Sequence, residues 1–241
     1  MNFAIDIGNT FCKVGKFENH KEVEVLNQLD LQDIISLIKQ DKPSKSILSS
    51  VRNHHSDFLE EIKSSTKLLY LSHQTLVPVQ NHYETPHTLG LDRLAGVVGA
   101  KTYFPDEPCL VVDLGTCITF DLIDAENNYW GGNIAPGMNM RLRAMHEFTA
   151  KLPMIEVQQN ELSENILGRQ TTQAMLNGVI QGIKFEIQGL YQELLEKYAS
   201  LRLILSGGDA TFFETKLKEP IFAVPFLNLI GLNTILEYND L

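Results

Sequence analysis

Short apolar runs interrupted by single polar residues open the chain. Phe3 to Ile7 is apolar except for Asp6, which predicts a buried β-strand. Val14 to Phe17 continues as a second strand beyond a turn at Gly8, and Val23 to Leu26 suits a third. Leu29, Ile34, Ile35, Leu37 and Ile38 then recur at helical spacing, with Asp30 placed to cap the helix and Pro43 and Ser44 to end it. Ser46 to Val51 reads as a strand, Ser56 to Ser64 as a helix with Phe58, Leu59 and Ile62 inward, and Leu68 to Leu71 as a strand. This β-β-β-α-β-α-β order is an α/β half-domain. Val79 to Leu89, rich in His, Pro, Thr and Asn, predicts a loop leading into Gly90-Leu91-Asp92-Arg93 and a helix from Leu94 to Phe104. Pro105 to Pro108 has no periodicity and marks the expected boundary between halves 1–105 and 106–241.

Beyond that boundary the opening pattern returns. Val112-Asp113-Leu114-Gly115-Thr116 matches Ile5-Asp6-Ile7-Gly8-Asn9, each being an apolar strand that delivers Asp, then Gly, then a small hydrogen-bonding residue. Repetition of the unit suggests two related halves facing a shared cleft; two chance occurrences of a common turn are the alternative. Trp130 to Gly137 reads as a glycine-dense turn opening a helix from Met138 to about Thr149. A polar connector over Glu161 to Gly168 precedes a long helix, capped by Thr171 or Thr172 and running to about Ala199. Its apolar residues Ala174, Met175, Val179, Ile183, Ile187, Leu190, Leu194 and Leu195 form a stripe that suits core or a dimer seam. Leu201 to Leu205 is a strand ending in Ser206-Gly207-Gly208-Asp209; Ile221 to Val224 and Asn228 to Tyr238 close the chain as a strand and a helix.

Composition narrows the classes. At 241 residues the chain can bury a proper core without disulfides. A formal charge of −10 argues against a nucleic-acid or anionic-membrane partner. Cys12, Cys109 and Cys117 form no C-x-x-C pair, so no disulfide framework or zinc knuckle is implied and a cytoplasmic location fits. Cys109 and Cys117 are expected to be buried as small hydrophobes. No signal peptide or membrane span is expected from the apolar runs.

Three glycine turns thus follow three strands, at Gly8, Gly115 and Gly207-Gly208, and two carry a preceding Asp. Backbone donors, a Lys13 point charge and an Asp at the strand end suit phosphates held through a cation, with Asp6 facing Mg²⁺ directly or through water. An ordinary hairpin whose Asp holds the turn would look the same. Neither the Walker pattern nor G-x-G-x-x-G after the first strand is present. Asp92 stands at a helix start beside Arg93, where an ionised carboxylate could accept an alcohol's proton; it could equally be a helix cap. His54 and His55 are adjacent, and the seven histidines form no ligand set; His82 and His87 flank the loop before Asp92.

Together these motifs resemble the type III pantothenate kinases of the acetate kinase, sugar kinase, Hsp70 and actin superfamily. The resemblance runs over nearly the whole chain: Asp6 to Thr10 with Lys13; Asn81, Tyr83, Pro86 and Gly90 to Arg93; Asp113 to Thr116; Gly131-Gly132 to Pro136-Gly137; Gly168 to Thr171 with Ala174-Met175; and Ser206 to Asp209. It implies two ribonuclease H-like (actin-like ATPase) halves of α/β class, with mixed sheets flanked by helices and a central cleft. It implies phosphorylation of pantothenate by ATP with Mg²⁺ as the first step towards coenzyme A. By this likeness Asp6, Ile7, Gly8, Asn9, Thr10, Phe11, Cys12, Lys13 and Thr116 would bind ATP. Asp92 would take the proton, and Tyr83, Gly90, Leu91, Asp92, Arg93 and Thr171 would contact pantothenate. Asp113 would hold K⁺ or NH₄⁺, and the protein would be a homodimer whose long helix forms the seam. Leu91, Leu114 and Leu176-Asn177 depart from the family's usual residues in packing rather than chemistry. Another small-molecule kinase of the superfamily, or a catalytically silent transcription accessory relative, are the rival readings.

Overall fold

The structure is a computed structural model that describes residues 1–8, 11–18, 20–52, 56–157 and 166–239, with only the backbone of Ser56. Asn9, Thr10, His54, His55 and the first part of the 161–168 connector lie outside the described residues.

In chain order the first elements are β1 (Asn2–Ile7), β2 (Cys12–Glu18), β3 (Lys21–Leu29), α1 (Leu31–Asp41), β4 (Lys45–Ser50), α2 (Ser56–Lys63), β5 (Lys67–Tyr70), β6 (Gln80–Asn81) and α3 (Leu91–Tyr103). Next come β7 (Cys109–Leu114), β8 (Cys117–Ile123), β9 (Asn128–Pro136), α4 (Met138–Glu147), α5 (Thr171–Leu195), β10 (Arg202–Ser206), α6 (Ala210–Glu214), β11 (Ile221–Ala223) and α7 (Leu227–Tyr238). One sheet has the order β3-β2-β1-β4-β5 and the other β11-β10-β7-β8-β9-β6. The first sheet mixes strand directions: β1 runs antiparallel to β2 and parallel to β4. The chain divides into two compact units. The first holds Met1–Asp106, Ile123–Gly131 and Phe226–Leu241; the second holds Glu107–Leu122 and Gly132–Pro225.

In the first unit the sheet is covered on both faces. Phe3, Ile5, Ile7, Cys12 and Val14 pack with Ile34, Ile35 and Ile38 of α1 and with Phe58 and Ile62 of α2. Ala4, Phe17 and Ile47 point to the other face, against Ala95 and Val98 of α3 and Leu229, Leu232 and Ile235 of α7. The strand period of two places Asp6 on the face of Ala4, the side that α3 and α7 cover. The start of α1 is set by a capping box: Asp30 Oδ1 accepts from Asp33 N at 2.8 Å, and Asp33 Oδ2 accepts from Asp30 N at 2.9 Å.

Helices α3 and α7 approach at backbone distance. A Cβ on Gly231 would lie 1.8 Å from Ala95 O, and one on Gly99 would lie 2.4 Å from Leu227 O. Only glycine fits at either place. That crossing seats α3, and with it the Asp92-Arg93 pair at its N-terminus, on the sheet face to which Asp6 belongs.

In the second unit Leu110, Val112 and Leu114 of β7 bury against Met175, Val179, Ile183 and Ile187 of α5, with Leu203 and Leu205 of β10 and Phe213 of α6 alongside. Those α5 residues of the predicted stripe are core within the protomer, whereas Ala174 on the same helix is exposed.

Several local expectations are corrected. Trp130 to Gly137 is mostly strand, not a turn: β9 runs through its glycines because a Cβ on Gly132 would strike Phe120 O at 1.6 Å. The 79–89 segment is not all loop: it contains β6, and Pro86–Thr88 forms a 3₁₀ turn. Helix α3 begins at Leu91 with Gly90 as its N-cap, so Asp92 sits inside the first turn rather than capping it. Gln170, not Thr171 or Thr172, occupies the N-cap of α5, which ends at Leu195. Cys109 is buried as expected, but Cys117 is exposed, since β8 starts with its first side chain on the open side.

Candidate active site

The first turn is narrow. Gly8 N donates to Phe11 O at 3.2 Å, and a Cβ on Gly8 would lie at the same distance from that oxygen. Asp6 and Lys13 are direct cross-strand partners in the β1–β2 pair, so their side chains leave the same face. Lys13 Nζ lies 6.0 Å from the centroid of the Phe226 ring. Ile7 and Cys12 are buried in the core, so only their backbones can serve a ligand, whereas Phe11 is exposed. Burial pushes the Cys12 thiol up, which keeps it protonated and unreactive.

The 81–93 segment is built around two side chains on different elements. Arg93, buried on α3, places its guanidinium 5.6 Å from the centroid of the Tyr83 ring. The Tyr83 ring also stacks on buried Tyr129 at 6.5 Å and 10° and lies over Gly131, whose Cβ would come 3.0 Å from Tyr83 Cδ2. Gly131 has φ +90, the left-handed region that favours glycine. Beside Arg93, Asp92 turns back along the helix start: its Oδ1 accepts from Arg93 N at 2.9 Å. A Cβ on Gly90 would lie 2.4 Å from that oxygen, so a side chain there would force the Asp92 carboxylate to turn away. Asp92 is half-buried at a helix N-terminus, where a carboxylate can meet a hydroxyl without leaving water altogether.

The second turn draws together three motifs distant in sequence. Gly137, the N-cap of α4, donates from its N–H to Thr116 O at 3.0 Å, and its Cβ would lie 2.2 Å from Gly115 O. Gly207, with φ +88, lies so close that a Cβ would come 2.3 Å from Asp113 Oδ1 and 2.5 Å from Leu114 O. Asp209 N donates to Leu114 O at 3.0 Å, and Ser206 pairs with Asp113 across β10–β7. Burial pushes the Asp209 carboxyl above its usual range. Asp113 Oδ1 and the Leu114 carbonyl therefore both lie against the Gly207 backbone, at a place only glycine can occupy. Thr116 is exposed at the lip of this turn, and Thr171 is exposed at the first position of α5. Among the described residues no three His, Cys, Asp or Glu side chains are grouped to hold a metal, and no helix is long and apolar enough to cross a membrane.

One cluster escapes sequence reasoning. Asp124, buried in the β8–β9 turn, accepts on Oδ1 from Glu126 N at 3.0 Å and Asn128 N at 2.8 Å. Its Oδ2 accepts from Asn128 Nδ2 at 3.0 Å and from the Trp130 indole N–H at 2.8 Å. Burial alone would raise this carboxyl, but the hydrogen bonds outweigh it and hold it below the usual range. An isolated Asp at the end of a strand carries no motif; the indole donor six residues on is the only signal.

The model of the type III pantothenate kinase family matches residues 2–193. Type III pantothenate kinases of Cytophaga hutchinsonii and Bacteroides fragilis (strain YCH46) are 41% identical over 239 residues and 42% identical over 243 residues. The alignments cover 99% of this chain and 100% of the first relative, and 100% of this chain and 99% of the second. Among solved structures, a candidate Baf-family transcriptional activator of Campylobacter jejuni aligns over 98% of each chain with a TM-score of 0.67 at 22% identity. A candidate N-acetylmannosamine kinase of Listeria monocytogenes aligns over 99% of each chain with a TM-score of 0.57 at 12% identity. At such identities these two likenesses show the fold, a mixed α/β architecture shared with sugar kinases.

Proposed function

The chain belongs to the type III pantothenate kinase family, and we propose how its residues divide the phosphorylation of pantothenate in coenzyme A biosynthesis. ATP is the phosphoryl donor, with Mg²⁺ as its counter-ion. The turn from Asp6 to Lys13, Asn9 and Thr10 included, takes the ATP phosphates, with backbone N–H groups and the Lys13 charge as donors and Asp6 facing Mg²⁺ directly or through water. Thr116 reaches ATP from the second turn. Tyr83, Gly90, Leu91, Arg93 and Thr171 contact pantothenate. Asp92 accepts the proton of the pantothenate hydroxyl as its oxygen attacks the γ-phosphorus; the P–O bond to ADP breaks as the new one forms.

The observation that carries this reading is the meeting of Tyr83 with Arg93, one helical residue from Asp92. It sets an aromatic ring against a guanidinium on the helical turn that also carries Asp92, residue types that suit an acidic, hydroxyl-bearing substrate. Asp113 would hold a monovalent cation, K⁺ or NH₄⁺, which would supply positive charge towards the nucleotide phosphates. A homodimer accords with Phe148 and Leu167, which are 85% and 81% exposed in the protomer. A cytoplasmic site of action accords with the cysteines: Cys12, Cys109 and Cys117 form no disulfide.

The test is pantothenate-dependent ADP release by the purified protein with Mg²⁺ and either K⁺ or Na⁺. Turnover with K⁺ well above that with Na⁺ is expected. Equal turnover in the two salts would remove the cation from the assignment, and absence of pantothenate-dependent release would remove the function.

A further inference from the structure

The hydrogen bonds of Asp124 form a chain of fixed sense that ends at the substrate segment. A carboxylate oxygen only accepts, so the Asn128 amide must turn its NH₂ to Asp124 Oδ2. The amide oxygen is thereby left for His82 Nε2, 3.0 Å away, and His82 must donate from that nitrogen. The second donor to Asp124 Oδ2 is Trp130 Nε1, and the Trp130 ring stacks on the His82 imidazole at 4.5 Å and 15°. Backbone bonds tie the same strands: Gln80 N donates to Asn127 O at 2.9 Å and His82 N to Tyr129 O at 3.0 Å. Lys101 Nζ on α3 donates to Asp124 O at 3.0 Å, which fastens the turn to the helix that carries Asp92 and Arg93.

Tyr83 is the next residue after His82. Its ring is held between Tyr129, Gly131 and Arg93, all supplied by β9 or α3. Two exposed residues, His82 and Trp130, are thus kept in one geometry by a buried carboxylate beneath them. A turn that only needed closing would require neither the indole nor the imidazole.

We propose that Asp124 is a positioning residue for the pantothenate segment: through Asn128, Trp130 and His82 it sets where Tyr83 meets Arg93. The proposal rests on the reading that Tyr83 and Arg93 contact pantothenate. Asp124 itself touches neither substrate, and its action is on affinity and alignment. Because Trp130 is the chain's single tryptophan, its emission reports the state of this cluster directly.

The experiment compares Asp124→Asn, Trp130→Phe and Tyr83→Ala with the unaltered full-length protein, in steady-state kinetics with each substrate varied. Asp124→Asn keeps the shape but replaces one acceptor oxygen by a donor; Trp130→Phe keeps an aromatic ring on His82 and deletes one bond. Both should raise KM for pantothenate by roughly tenfold, since small displacements of a substrate-holding group cost factors of that size. Their kcat and KM for ATP should stay within about twofold, a split that general loosening of the fold would not produce. Saturating pantothenate should shift Trp130 emission in the unaltered protein and shift it less in Asp124→Asn.

If Tyr83→Ala leaves KM for pantothenate unchanged, the substrate-segment reading falls and the proposal with it. If Tyr83→Ala raises that KM while Asp124→Asn and Trp130→Phe do not, the proposal alone is overturned. It is overturned equally if Asp124→Asn and Trp130→Phe impair both substrates and kcat alike. Should Asp124→Asn not fold, Trp130→Phe decides.

Discussion

Gly231→Ala tests the crossing of α3 and α7. The added carbon would lie 1.8 Å from Ala95 O, 2.7 Å from Ala95 C and 2.9 Å from Gly99 N. A carbon rests about 3.3 Å or more from a carbonyl oxygen, so α3 would have to withdraw by roughly 1.5 Å. The opposing atoms are backbone, so no side-chain rotation relieves the contact. Overpacking of a close-packed core costs ~1–3 kcal/mol and occasionally more, and a collision this deep belongs beyond the upper end, at about 4 kcal/mol. Alanine's better helix propensity returns about 1 kcal/mol, which leaves a net loss of ~3 kcal/mol. At about 2–4 °C per kcal/mol for a chain of this size, Tm should fall by roughly 6–12 °C. A calorimetric scan with a urea midpoint measures it. Glycine-to-alanine changes in an unobstructed helix are stabilising, so the sign decides: a Tm equal to or above that of the unaltered protein would refute the backbone contact. Because α3 carries Asp92 and Arg93, turnover well below the melt should drop as well.

Gly207→Ala should cost most of the turnover and the response to K⁺, because its φ of +88 disfavours a side chain and the methyl would press on Asp113 Oδ1 and Leu114 O; Gly208→Ala, with nothing within 4 Å, should respond to K⁺ normally. Asp124 should make stability pH-dependent in one direction. Its carboxyl is held low in the folded protein, so its contribution is present above the ordinary carboxylate value of about 3.9 and is lost as pH falls through the lower folded value. Urea midpoints from pH 6 downward should therefore converge between the unaltered protein and Asp124→Asn at the acid end, and a gap that is constant with pH would contradict this.

Residue pattern makes the first unit's strand and helix order readable, because each element has one dominant period and clear punctuation. The Asp30 cap is the plainest case: a polar residue at the helix start with an acid three positions on and apolar spacing behind it. The Trp130–Gly137 stretch misleads for a physical reason. Glycine there answers to neighbouring backbone and to the Tyr83 ring, contacts between residues distant in sequence, whereas in isolation it signals a turn. Helix α3 starts three residues earlier than its pattern suggests because Leu91 and Asp92 lack the clear helical signal of Leu94 to Phe104, and Gly90 caps without a side chain. Asp6, Asp92 and Asp113 are legible as motif residues; that Tyr83 lies on Arg93, or that Gly137 and Gly207 both close on the Asp113 turn, depends on strand pairing that no local pattern encodes. The dependence of His82 on Asp124 through one amide is of the same kind.

The assignment of Asp92 as the group that takes the hydroxyl proton is tested most directly by Asp92→Asn, with turnover and pantothenate binding measured on the same preparation. The side chain stays the same size beneath Gly90, so the fold and the Tyr83–Arg93 wall should persist. Turnover should fall by about 10²–10⁴-fold, while pantothenate still binds within a few-fold of the unaltered protein. Turnover retained at the level of the unaltered protein would contradict the account.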